Sequence, residues 1–239
     1  LYKGQAIYGV GGGITWDSTW ESEYREVHQK AAVLYRKQAR FQLITTGKIS
    51  QKNLFFEEQH LERLRKASRY FAFPFDSENL KQKIEEECQA CDANQDYRLR
   101  ISLSKSGEIK VDRQVLTPLS PSFCKAKLCL QEADLNQAFT YFKTTHRPHL
   151  RLGEQEKIYH NKSGELLETS IGNLVLKMDG KLYTPLSQRG ILPGIYRQHL
   201  LESEQVKEKV LTIEDLKQAE TVYGCNAVRG LYELSLQEN

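Results

Sequence analysis

One stretch constrains this chain of 239 residues more than any other: the run from Glu168 to Arg197, ETSIGNLVLKMDGKLYTPLSQRGILPGIYR. It reads as a strand ending in an acidic residue, then a small-residue turn and a hairpin that Thr184-Pro185 closes. Leu192-Pro193-Gly194 then delivers the chain to a helix over residues 195–203. The unpaired N–H groups of that first helical turn favour an anion such as a phosphate. Pro193 and Gly194 fix the helix start and allow close backbone approach. From spacing alone, a plain hairpin joined to a surface helix fits as well.

Length allows one large domain or two small ones. Lys and Arg number 34 against 31 Asp and Glu, and a net charge of +3 is too small to argue for nucleic acid. No apolar run approaches the ~18 residues of a membrane span. Five cysteines, an odd number, favour reduced thiols and a cytoplasmic setting. Cys88 and Cys91 have metal-type spacing but no second ligand pair nearby, so no metal is expected. Leu1 in place of Met suggests a piece of something longer.

In chain order, residues 8–17 read as a glycine-rich strand-turn, and Glu21 heads a helix running to about Lys37. Residues 40–120 make a compact α/β pattern. A strand over 40–46 turns at Gly47 and returns over 54–56. Helices follow over 60–71 and 78–90, then a hairpin over 97–116 around Ser106-Gly107. Pro118 and Pro121 mark a boundary before a larger α/β half over 121–239. That half holds a strand over 125–131, an extended loop before Tyr141, a short helix over 214–219 capped by Thr212, and two closing strands. Taken as bare residues, Arg63 is a solvated helix charge and Lys143 a surface lysine.

The run Glu168-x-Ser170-x-x-Asn173-Leu174, followed by Leu192-Pro193-Gly194-x-x-Arg197, resembles the signature of the class IV pyridoxal-phosphate enzymes. That family includes branched-chain and D-amino-acid aminotransferases and 4-amino-4-deoxychorismate lyase. Val175 stands where the family usually has an aromatic residue, which should alter packing under the sheet. His60-Leu-x-Arg63-Leu resembles the family's phosphate-binding segment, and Phe142-Lys143-Thr-Thr-His-Arg-Pro148 resembles the cofactor-lysine segment of lyases joined to a synthase component. Residues 1–37 resemble the end of the chorismate-binding enzymes, in which Glu23 and Glu26 would be magnesium ligands.

The resemblance implies the two-domain α/β fold, of the D-amino-acid aminotransferase type, with pyridoxal 5'-phosphate between domains 40–120 and 121–239, and a homodimer. It implies that Lys143 bonds the cofactor and that Glu168 keeps its ring nitrogen protonated. Arg63 and the amides near Ile171, Gly172, Ile195 and Tyr196 would anchor the phosphate. Asn226 would touch the phosphate and the Ala227 amide the substrate carboxylate. Arg98 or Arg147 would pair with that carboxylate or else serve structure alone, and the same two readings hold for Thr45 and Thr46 as pocket lining. The implied activity is lyase chemistry on a small chorismate-derived substrate. Alternatives are aminotransfer on branched-chain or D-amino acids, or a remnant without activity. Relatives usually carry a full helix after the lysine, and the segment from Lys143 to Glu168 is shorter by about two turns, of ~3.6 residues each, which is consistent with a more open site, a less firmly held lysine or a decayed enzyme.

Overall fold

A computed structural model describes residues 7–35, 39–131, 137–151 and 153–237. Leu1, the expected helix end at Lys37 and the loop over 132–136 lie outside these residues. The chain divides into a unit over residues 1–40 and a unit over residues 41–239.

In the first unit, α1 spans Trp20–Tyr35. It is started by Thr19, whose Oγ1 accepts from the Ser22 N–H at 3.3 Å. The expected strand over 8–17 does not form: these residues are irregular. Glycines at 9, 11, 12 and 13 make an extended segment entropically costly, and it finds no partner strand among the described residues. Gly12 instead faces the carboxylates of Glu23 and Glu26. Lys30 pairs with Glu26 at 2.5 Å and donates to the Gly11 carbonyl at 3.0 Å.

The second unit is an α/β fold built on two sheets. Its first half runs β1 (Leu43–Ser50), β2 (Asn53–Leu54), α2 (Glu57–Phe71), α3 (Ser77–Gln89), β3 (Tyr97–Leu103) and β4 (Ile109–Val115). The strands form an antiparallel sheet in the order β2-β1-β3-β4. Direct cross-strand pairs share a face. Leu43 with Leu103, Gly47 with Leu99 and Ile49 with Tyr97 therefore turn one way, into a core with Leu61, Leu64, Leu80 and Ile84 of the helices. The pairs Thr46–Arg100 and Lys48–Arg98 turn the other way.

Gly47 is not the expected turn. β1 runs through it to Ser50, and Gln51 and Lys52 make the turn with φ of 49° and 63°. A glycine is needed at 47 because a Cβ there would lie 2.6 Å from His60 Nε2 and 2.8 Å from Leu54 Cδ1.

The second half runs β5 (Lys125–Leu130), α4 (Gln137–Tyr141), β6 (Lys157–His160), β7 (Leu166–Thr169), β8 (Asn173–Met178), β9 (Lys181–Pro185), α5 (Ile195–Glu202), β10 (Val206–Lys209), α6 (Ile213–Gln218), β11 (Thr221–Asn226) and β12 (Gly230–Leu236). The sheet order is β10-β9-β8-β11-β12-β5-β6-β7, and the pairing of Glu168 with Asn173 joins β7 back to β8. The strands from β8 round to β7 thus close into a barrel. Leu174 and Leu176 point into its core with Ile158, Leu166 and Val222. Val175 points outward and packs with Leu200, Val206 and Cys225 beneath α5. α6 begins with a capping box between Thr212 and Asp215. All five cysteines are free thiols, and no helix among the described residues is long and apolar enough to cross a membrane.

Gly47→Ala tests the β1–α2 packing. His60 is buried and held by Thr45, so it cannot yield to a new methyl group. The substitution should cost about 1–3 kcal/mol, read as a lower urea midpoint with unchanged slope. An unaltered midpoint would contradict this packing.

Candidate active site

Within the second unit lies a cavity of about 500 Å³, large enough for a phosphorylated ring and a small substrate. The small sheet gives it Thr46, Arg98 and Arg100, and α2 gives it Arg63. The segment after α4 gives Lys143 and Arg147, and the barrel gives Glu168, the turn over 170–172, and residues 225–229. Gly194 and Ile195 bring in the start of α5.

Lys143 is placed by the edge of β1. Its carbonyl accepts from the Ile44 N–H at 2.9 Å, Thr144 bridges to Leu43, and the Thr145 N–H donates to the Gln42 carbonyl at 2.9 Å. The lysine segment is therefore tied to the small sheet although no helix stands between it and β6 among the described residues. Burial lowers the Lys143 amine to about 7, and Arg63, Arg147 and Arg100 push the same way against Glu168. Near neutral pH a large share of this amine is uncharged.

Glu168, at the closing edge of the barrel, is 2 % exposed. Arg147 Nη2 donates to both its oxygens at 3.1 Å. Burial raises this carboxyl's pKa while Arg147 opposes the rise. His149 is buried beside it, with Nε2 3.8 Å from Oε1. Burial lowers the imidazole to about 4, with Arg147 and His146 adding to the effect, so it is neutral. The Nε of Arg147 and both ring nitrogens of His149 are buried without partners among the described residues.

Across the cavity, Arg63 Nη2 donates to the Pro193 carbonyl at 2.7 Å, which ties α2 to the start of α5. Burial lowers this guanidinium to about 10, helped by Arg147. Asn173 Nδ2 donates to the Leu192 carbonyl at 2.8 Å, and its side-chain oxygen fills the space a Cβ on Gly194 would need. The loop is thereby drawn against the barrel. No side chain caps α5, so its first N–H groups keep their free valence. Gly172 is equally constrained: its N–H donates to Thr169 Oγ1 at 3.0 Å, and a Cβ there would meet the Cys225 carbonyl at 2.5 Å.

Of the residues singled out in the sequence, Arg63, Lys143, Glu168, Ile171, Gly172, Ile195, Asn226, Ala227, Arg98, Arg147 and Thr46 line this one cavity. Thr45 does not. Strand alternation turns it to the helix side, where Oγ1 lies 2.6 Å from His60 Nδ1. Tyr196 is also absent from the wall: its ring packs 6.1 Å from Phe56 and 5.9 Å from His199. Arg147 holds Glu168 rather than standing free for a carboxylate. Asn226 Oδ1 is used at home, accepting from the N–H groups of Val228 and Arg229 at 3.0 Å each. Arg197, despite its place in the motif, faces away. It is buried against Thr184, the Pro185 carbonyl and Glu208, and so braces β9 to β10.

Arg100 and Arg229, both in the wall, were missed by sequence reasoning. Arg98-Leu-Arg100 carries the signal for the first, since residues two apart on a strand share a face. Nothing local signals the second.

Residues 42–235 match the family model for amino-transferase class IV, and residues 1–36 match the model for chorismate binding enzyme. Among solved structures, a proposed amino-acid aminotransferase from Mesorhizobium loti is similar, with 25 % identity and a TM-score of 0.72 over 82 % of this chain and 100 % of that one. A proposed 4-amino-4-deoxychorismate lyase from Legionella pneumophila has 20 % identity and a TM-score of 0.67 over 82 % of this chain and 83 % of that one. Another from Haemophilus somnus has 23 % identity and a TM-score of 0.64 over 82 % and 100 %. An uncharacterized protein of Haemophilus influenzae is 32 % identical over 79 residues, 33 % of this chain and 41 % of that protein's length.

Competitive acetylation read by mass spectrometry measures the Lys143 amine directly. Half-maximal reactivity is expected near pH 7, against roughly 10.4 for a free lysine. Arg100→Gln should move the midpoint upward by removing a like charge. Because the folded value lies below the unfolded one, stability should rise as pH climbs through this window. A Lys143 that titrates like free lysine would contradict the site's electrostatics.

Proposed function

Because the chain belongs to the class IV aminotransferase family, we propose that it is a pyridoxal-phosphate enzyme that splits 4-amino-4-deoxychorismate into 4-aminobenzoate and pyruvate. The fit to the cofactor rests on the donor set. One depressed amine, one buried carboxylate and one phosphate-type guanidinium share a cavity of suitable size. Lys143 would hold the cofactor covalently. Arg63, with the free amides at the start of α5 near Ile195, would hold its phosphate, and Glu168, steadied by Arg147, would face its ring nitrogen. Bound pyridoxal phosphate supplies an electron sink for the carbon bearing the amino group.

The chain's own part is proton movement and charge placement. Lys143 Nζ takes the proton from the ring carbon bearing the amino group and returns one to the departing enolpyruvate as its C–O bond to the ring breaks. Atoms balance: the ring loses that proton and the ether branch, and becomes aromatic. His149 and His60 stay neutral and add no charge. The His60 imidazole is lowered to about 3, chiefly by burial. A homodimer and a place in 4-aminobenzoate supply for folate are part of the same reading.

One observation favours lyase chemistry over aminotransfer: the chorismate-binding sequence over residues 1–36 that precedes the catalytic unit. A chain joined to that family is suited to consuming an aminated chorismate. The likeness to the Mesorhizobium protein supports aminotransfer on amino acids as the second reading. An assay of the pyridoxal-phosphate-loaded chain with 4-amino-4-deoxychorismate, beside amino-acid and 2-oxo-acid pairs, separates them. Formation of 4-aminobenzoate is expected, with a loss of about 10³-fold or more in Lys143→Ala, since the lysine acts as both attachment point and base. Turnover of the amino-acid pairs alone would overturn the lyase reading.

A further inference from the structure

Arg229 has no role in the scheme above. It sits in the turn between β11 and β12, with its backbone fixed by Asn226 Oδ1. It lines the main cavity and also an adjoining one of about 300 Å³, and Leu119 and Val228 share both walls with it. The residue is half-buried, and among the described residues its side chain has no hydrogen bond or ion pair. Burial holds its guanidinium below the usual range against the opposing influence of Tyr232 and Cys124, and Arg98 adds a smaller push downward.

Arg98 reaches the cavity from β3, a different element, and its only side-chain partner among the described residues is the neutral Gln114 Oε1 at 3.4 Å. Two guanidinium groups lining one cavity wall, with no carboxylate among the described residues bonded to either, suit an anion. Lys48, in the wall of the smaller cavity, is already paired with Asp96 at 3.0 Å. The one carboxylate lining that smaller cavity is the exposed Glu233, which disfavours an anion deep inside it. The favourable place is therefore the opening between the two cavities. There Leu119 and Val228 supply apolar contact for a short carbon branch.

We propose that Arg229 and Arg98 clamp a second carboxylate of the substrate, carried on a branch away from the amino-bearing carbon, and so select two-carboxylate over one-carboxylate substrates. The proposal rests on the reading of this cavity as the substrate site. Its test uses ligands that cannot react, so failure of lyase turnover and failure of the clamp remain separate results.

The probes are 3-(carboxymethoxy)benzoate and 3-methoxybenzoate, which differ in the second carboxylate. Each is titrated calorimetrically into the full chain loaded with pyridoxal phosphate. The wild type should prefer the two-carboxylate ligand by about 10-fold or more, the effect of roughly one charge-assisted hydrogen bond. Arg229→Gln and Arg98→Gln should each remove most of that preference and move one-carboxylate binding less than about threefold. Arg69→Gln, on the exposed side of α2, should keep the preference. Unchanged visible absorbance of the bound cofactor in the variants shows that the site is folded. A wild type without preference, variants that keep it, or variants that lose both ligands equally would overturn the clamp.

Discussion

The arrangement depends on one buried ion pair. Glu168 lies at the closing edge of the barrel and Arg147 on the segment bound to β1, so their contact joins the two sheets across the cavity floor. A carboxylate this deeply buried is costly unless it is paired, and Arg147 uses one nitrogen on both its oxygens. Around it stand Lys143, Arg63, Arg98, Arg100 and Arg229 in the same wall. One carboxylate cannot neutralise so many cations, and the excess positive charge has two consequences. With burial as the larger cause, it helps drive the Lys143 amine toward its neutral, nucleophilic form, and it makes the cavity receptive to phosphate and carboxylate groups.

The rest of the fold serves to bring those cations together. The period-2 alternation of β1 and β3 sends Thr46, Arg98 and Arg100 to the cavity while Thr45, Leu99 and Ile101 build the core on α2 and α3. Asn173 and Gly194 draw the start of α5 against the barrel, and Arg63 ties it to α2. Arg197 braces the far side of the same loop without entering the site. The motif over residues 168–197 is thus part site and part scaffold, and Arg197 belongs to the scaffold.

Much of this was legible in the sequence. The acidic strand end, the small-residue turn and the Leu-Pro-Gly helix start lie within one contiguous stretch, and their order alone places Glu168, Gly172 and Ile195 close together. What was not legible depends on parity and on distant pairing. Thr45 and Thr46 look equivalent in a list of polar residues, and only the register with β3 separates them. β10 escaped notice because Val206 is its one buried residue, leaving no alternation to read. Gly47 resembles a turn residue but is small for His60. Arg229 follows a turn with no local mark of function, and its importance appears only when β11 and β12 carry it to the cavity. The glycines over 8–17 suggested a strand-turn, and the first unit shows an irregular segment folded on α1.

Reduction of the pyridoxal-phosphate-loaded chain with borohydride, followed by digestion and peptide mass mapping, shows which lysine carries the cofactor. A single pyridoxyl adduct is expected, on the peptide that contains Lys143. An adduct on another lysine, or none at all, would contradict that attachment.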